Sequence, residues 1–181
     1  MRYLFFAVIV IVCAIACNQP VRGKNGEVYK TSVQYNDYII NRQSILIKDV
    51  IDLTKVAQTN LDSADKMLDN FVEKTDGLIT DIKGMPSYKG DSSFRDAAIA
   101  SFSFYKKIFG NEYKQLVDIR KHGGDATQEG VDQMNEIVNN ISKEEEKYDK
   151  SFHNAQKNFA DKNNMKLGAN EMQKKIDKMR E

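Results

Sequence analysis

An all-α, up-down-up-down four-helix bundle is the fold this amino-acid sequence predicts, on three observations. From Thr31 to Asp76 there is neither Gly nor Pro, whereas turns in an all-β chain recur about every 8–12 residues. Apolar residues are spaced by three, four or seven, the period of one helix face. Breakers are gathered into a few short stretches, leaving long helical runs joined by short links. With 181 residues, the chain has the size of one domain with room for flanking segments. Lys+Arg number 27 against 26 Asp+Glu. That balance argues against a general nucleic-acid binder, which carries a basic excess. Two Cys make no disulfide-rich scaffold, and two His beside them are a poor metal inventory.

The chain opens on an address. Residues 3–16 (YLFFAVIVIVCAIA) form an apolar run behind a single positive residue, Arg2. The run is shorter than the roughly 20 residues a membrane-spanning helix needs. It fits the apolar part of an export signal ending in small residues, so residues 1–16 are expected to be a signal peptide. Ala14-Ile15-Ala16-Cys17, followed by polar Asn18-Gln19-Pro20, resembles the lipobox of bacterial lipoproteins. The resemblance implies cleavage before Cys17, a lipid on its thiol and usually an acyl group on the new amino terminus. Ala14 stands where Leu is commoner, and Ile15 where a small residue is commoner. An ordinary cleaved signal and an uncleaved anchor are the alternative readings of the same run. More than one acyl chain is needed for stable anchoring, and a diacyl or triacyl Cys17 meets that need without a transmembrane helix. Asn18 is not the Asp that resembles an inner-membrane retention signal, and no acidic run follows Cys17. The expected address is therefore the outer membrane of the cell envelope, in either leaflet. Residues 17–30 carry linker composition after Cys17 (NQPVRGKNGEVYK) and are expected to form a flexible tether of roughly 25–40 Å.

In the first helix Val33, Ile40, Ile47 and Val50 fall on one stripe, with Ile39, Leu46 and Leu53 beside it. Leu61, Ala64, Leu68, Phe71, Leu78 and Ile82 continue the spacing. A single helix over all of these would be roughly 75–80 Å long at about 1.5 Å per residue, more than the later helices can cover. Gln58-Thr59-Asn60-Leu61-Asp62-Ser63 is polar and rich in capping residues, so the chain is expected to reverse near residues 57–62. The alternative is a three-helix arrangement with a long kinked first helix. Gly84 to Asp91 (GMPSYKGD) is a loop, with Asp91, Ser92 or Ser93 placed to cap the next helix.

The third helix carries Phe94, Ala97, Ala98, Ile99, Phe102, Tyr105, Ile108, Phe109, Leu116 and Val117, and stops at His122-Gly123-Gly124. Its aromatic content marks it as the anchor of the core. Gly110 inside it suggests a close helix approach or a bend. Asp125 with Gln128 resembles a capping box. Val131, Met134, Val138, Ile141, Tyr148, Phe152, Ala155 and Phe159 then form the seam of a last helix reaching about Lys162. The bundle domain is thus assigned residues 31–165. Residues 166–181, polar with Met172, Ile176 and Met179 on a weak stripe, are expected to be a mobile or short helical tail.

Metal-ligand, nucleophile and phosphate-loop motifs are absent from the sequence, so no catalytic residue, metal site or cofactor is expected. Cys17 is the lipidation site that the lipobox resemblance implies. Four residues are candidates for ligand binding. Tyr88, Lys89 and Arg95 flank a helix start, where they could hold an anion; structurally, Arg95 could pair with a carboxylate while Phe94 staples the helix. Glu145 occupies the seam position between Ile141 and Tyr148. It is either a buried polar site or part of a solvated overhang, or paired with Lys. Asn36 and Gln43 fall on the seam of the first helix, where a buried amide can fix register. His153, beside Phe152, is expected to be an exposed helix residue.

Tyr35-Asn36-Asp37 is one element of a wider likeness. Lys89-Gly90-Asp91 through Phe94-Arg95-Asp96-Ala97-Ala98 is another, continuing to Phe104-Tyr105-Lys106 and Glu112-Tyr113. With the lipobox, these strings resemble a family of helical surface lipoproteins of the leptospiral type, found also in other Gram-negative bacteria, over most of residues 31–165. The resemblance implies an exported, lipid-anchored helical protein; Cys17 alone carries over as a functional residue. The expected function is a non-enzymatic interaction module in the envelope or at the surface. Its expected partners are the membrane, through the acyl anchor, and an envelope or surface protein, with no nucleic acid. The alternative is a periplasmic module that binds a small or lipidic ligand between its helices, using the aromatic third helix.

Overall fold

The structure is a computed structural model that describes residues 20–168; Cys17, the apolar run before it and most of the expected tail lie outside those residues. Eight elements occur along the chain. Strands β1 (Val21–Arg22) and β2 (Val28–Tyr29) precede α1 (Ser32–Ala57), α2 (Leu61–Lys83), α3 (Ser93–Gly110) and α4 (Glu112–Lys121). A 3₁₀ turn (Gly124–Ala126) leads into α5 (Gln128–Lys162). The helices form four antiparallel rods, because α3 and α4 are two parts of one bent rod. The bend falls at Asn111 (φ −125°, ψ −77°), next to Gly110. The continuous third helix expected from spacing is therefore two segments.

Local chemistry sets the ends. Thr31 caps α1 by accepting from the Gln34 amide, and Asn60 caps α2 by accepting from Ser63 at 2.8 Å. The chain reverses over Gln58–Asn60, as the polar stretch there predicts. Gly123, at φ 74°, supplies the left-handed residue that ends α4. The cap of α5 is Thr127, which accepts from the Gly130 amide, rather than the expected Asp125. Asp125 instead sits in the 3₁₀ turn, 3.6 Å from Arg120.

The third rod is the hub, packed between α2 and α5, with Phe94, Phe102, Ile108 and Phe109 fully enclosed. Two seam assignments shift by one residue. In α1 the deep positions are Ile39, Leu46 and Leu53, while Val33 is 49% exposed. In α5 Ile137 packs on the core and Val138 is 47% exposed. A straight helix of 3.6 residues per turn drifts off a seven-residue seam, and Val138 lies where that drift has carried the stripe outward.

The flexible tether expected over 17–30 is corrected for residues 21–30. They form an antiparallel hairpin, with Val21 opposite Tyr29 and Arg22 opposite Val28. Asn25 clasps it to the end of α2: its side chain donates to the Tyr29 hydroxyl (2.7 Å) and the Asp81 carbonyl (3.2 Å). Its backbone amide donates to the Gly84 carbonyl. A Cβ on Gly84 would sit 2.8 Å from that of Asn25, so glycine permits the approach. Tyr29 is buried against the rings of Tyr35 and Tyr38, and burial pushes its hydroxyl up to about 12. Enclosing such a ring contributes on the order of 1.5–3 kcal/mol, enough to hold a short hairpin in place.

Candidate functional site

Tyr88, Lys89 and Arg95 are brought together at the end of the bundle that carries the hairpin. The loop between α2 and α3 is closed by paired backbone hydrogen bonds between Tyr88 and Asp91. Lys89 (φ 51°) and Gly90 (φ 84°) make the turn between them. Tyr88 is buried on Tyr35 and Phe159. Arg95 donates to the Met85 carbonyl (3.0 Å) and to Asp96 (3.0 Å). The Ser93 amide at the start of α3 donates to Asp91 at 2.9 Å. Asp91 also accepts from Lys162 at 2.6 Å. These hydrogen bonds, the one from Lys162 foremost, hold its carboxyl well below the usual carboxylate range. Arg95 and the helix start are thus committed within the chain, closing α3 and α5 over the loop. Lys89 remains exposed, 5.6 Å over the Tyr88 ring.

Glu145 is half-buried and accepts from the Tyr105 hydroxyl at 3.1 Å. A phenol is thus one of its partners. Burial, followed by the charges of Glu145 and Asp149, holds the Tyr105 hydroxyl in its protonated form well above its ordinary range. A protonated donor against an acceptor-only carboxylate joins α3 to α5. The neighbouring Glu144 lies outside and binds Lys107.

Asn36 is buried and accepts from the Gln156 side chain at 2.9 Å, an amide pair that sets α1 against α5. Gln43 is half-buried and stands outside this pair, and His153 is exposed. One buried charge escapes the sequence reading: Asp49 is 3% exposed and accepts from Lys74 of α2 at 2.7 Å. Its second oxygen, Oδ2, is buried without a hydrogen-bond partner. The signal was present, since Asp49 follows Leu46 by three residues and precedes Leu53 by four, on the deep seam.

At the opposite end α4 and the first turns of α5 diverge around an open groove of about 500 Å³. Its lining includes Ile119 and Ile137 and the polar side chains of Gln115, Asp118, Gln133, Glu136 and Asn140. A second hollow of about 310 Å³ continues it past His122 and Thr127. Among the described residues no group of three or more His, Cys, Asp or Glu is placed to hold a metal ion. In comparison with known proteins, the chain matches no family model, no curated protein and no solved structure.

Proposed function

We propose that the chain is a lipid-anchored protein of the bacterial cell envelope whose helical bundle is a non-enzymatic interaction module. The observation that carries this reading is Ala14-Ile15-Ala16-Cys17 at the end of a short apolar run. The fold supports it in one respect. β1 begins at Val21, four residues after Cys17, and four residues reach at most about 14 Å. An acyl group on Cys17 therefore holds the bundle against the lipid surface, with its hairpin end inward. The far end, with the α4–α5 groove, then faces away from the membrane, where an envelope protein can meet it. The alternative of a ligand between the helices finds the aromatic side chains engaged with one another. Phe94 packs on Phe152 and Phe159, and Phe104 on Tyr148.

Substituting Cys17→Ser tests the reading. It is expected to abolish incorporation of labelled fatty acid and, after a high-salt wash, to move the protein from the membrane fraction to the soluble one. Undiminished membrane retention of the variant overturns the anchor.

A further inference from the structure

The hairpin end of the bundle has a surface of its own. The antiparallel topology brings β1, β2, the start of α1, the end of α2, the 84–92 loop and the end of α5 together there. Contacts tie these elements to one another: Asn25 to Asp81, Tyr35 to Pro86, and Lys162 to Asp91. Its ion pairs, Arg42–Asp81, Arg95–Asp96 and Lys162–Asp91, use up part of the charge. Six exposed cations then remain without an ion pair among the described residues: Arg22, Lys24, Lys30, Lys83, Lys89 and Lys166. The exposed carboxylates left at this end are Glu27, Asp37 and Asp161. Val33 and Leu167, two of the three exposed large apolar side chains among the described residues, lie at the same end. The opposite end has the other sign, with Glu129, Asp132 and Glu136 exposed on the first turns of α5.

We propose that the hairpin end is a docking surface for an anionic lipid headgroup layer. The cations stand on β1, the hairpin turn, the end of α2 and the loops of this end, where Val33 and Leu167 are also exposed. Long flexible Lys stems meet a fluid layer of phosphates in that way, whereas a folded partner would demand shape. A charge asymmetry along the bundle axis orients it with the cationic end on a negative surface and the acidic end outward. The proposal extends the anchored reading, since residues 17–20 allow this end to touch the lipid to which Cys17 would be attached. Anchoring then holds the domain close, and the charges set its direction.

The test uses the chain from Pro20 to Glu181, which lacks Cys17 but contains every core residue described above. Its binding is measured by co-sedimentation with vesicles of phosphatidylcholine alone and of phosphatidylcholine with about one-third phosphatidylglycerol. The expected result is binding to the anionic vesicles that weakens as salt is added, with little on the neutral ones. The triple variant Lys24→Gln, Lys83→Gln, Lys89→Gln is expected to lose about fivefold in affinity per cation. A second triple variant, Lys66→Gln, Lys143→Gln, Lys150→Gln, removes the same charge elsewhere and is expected to bind as the parent does. All three proteins should melt at similar temperatures, which separates lost binding from lost folding. Equal binding to both vesicle types, equal losses in the two variants, or no binding to either vesicle overturns the proposal. Because this chain has no Cys17, headgroup binding can fail while acyl anchoring holds, and the reverse.

Discussion

The two ends of the bundle are closed by different chemistry. At the hairpin end, rings and backbone carbonyls do much of the joining, beside the Lys162–Asp91 and Arg42–Asp81 ion pairs. The rings of Tyr35, Tyr88 and Phe94 pack on that of Phe159, the Tyr35 hydroxyl donates to the Pro86 carbonyl, and Arg95 donates to that of Met85. At the far end, long charged side chains reach across the surface. Lys114 meets Asp65 and Asp69, Lys121 meets Asp62, and Arg120 donates to the Ala57 carbonyl. Exposed ion pairs are worth about 0–1 kcal/mol and weaken with salt. Buried aromatic contacts are worth several times more and are not screened by salt. The difference teaches that one fold can be locked at one end and left adjustable at the other, and the adjustable end is where the groove opens.

The largest effect expected from this contrast is at Phe159. Phe159→Ala removes the ring shared by Tyr35, Tyr88 and Phe94 and should cost about 3–5 kcal/mol in chemical denaturation. Gly84→Ala comes next. It pushes a Cβ into Asn25, so about 1–3 kcal/mol should be lost, with protease cleavage newly seen within residues 21–30. At the far end, Lys114→Ala breaks two ion pairs, yet should cost under about 1 kcal/mol, and less in high salt. If hydrogen exchange finds α4 and the first turns of α5 as protected as the start of α3, the contrast fails.

Acid gives the mildest test. Asp91 at the hairpin end and Asp62 and Asp65 at the far end are held below their ordinary values, mainly by hydrogen bonds from Lys162, Lys121 and Lys114 respectively. A depressed carboxylate contributes stability above its unfolded value, about 3.9, and loses it as pH falls toward the folded value. Stability should therefore be level from neutrality to about pH 5 and decline below about pH 4. Lys162→Met should flatten part of that decline, as followed by urea unfolding at each pH.

Much of this architecture was legible because helical spacing is a long-range signal. The reversal at Gln58–Asn60, the loop around Pro86 and the stop at Gly123 all announce themselves by residue type. The hairpin was hidden by its composition: Gly23, Lys24, Asn25 and Gly26 look like a linker. The Asn25-Gly26 pair between Val21-Arg22 and Val28-Tyr29 is itself a strong hairpin signal. Two-residue strands are too short to show alternation, and what fixes them is Gly84 and Asp81, more than fifty residues away. The partners of Glu145 and Arg95, 40 and 10 residues away, were hidden as well. Spacing placed Glu145 on the seam of its helix and Arg95 at a helix start, but Tyr105 and the Met85 carbonyl are supplied by tertiary packing. The break at Asn111 was marked by Gly110 without its direction.

The Asn36–Gln156 pair joins residues 120 positions apart, and Tyr35 waits likewise for Phe159. The far end has all the partners named above once Lys121 has been synthesised. A chain growing from its amino terminus can thus bring α1, α2 and α4 together while its hairpin end still lacks a wall. The end that carries the hairpin is completed only when the last turns of α5 arrive, so until then that end can open without first undoing a closed structure.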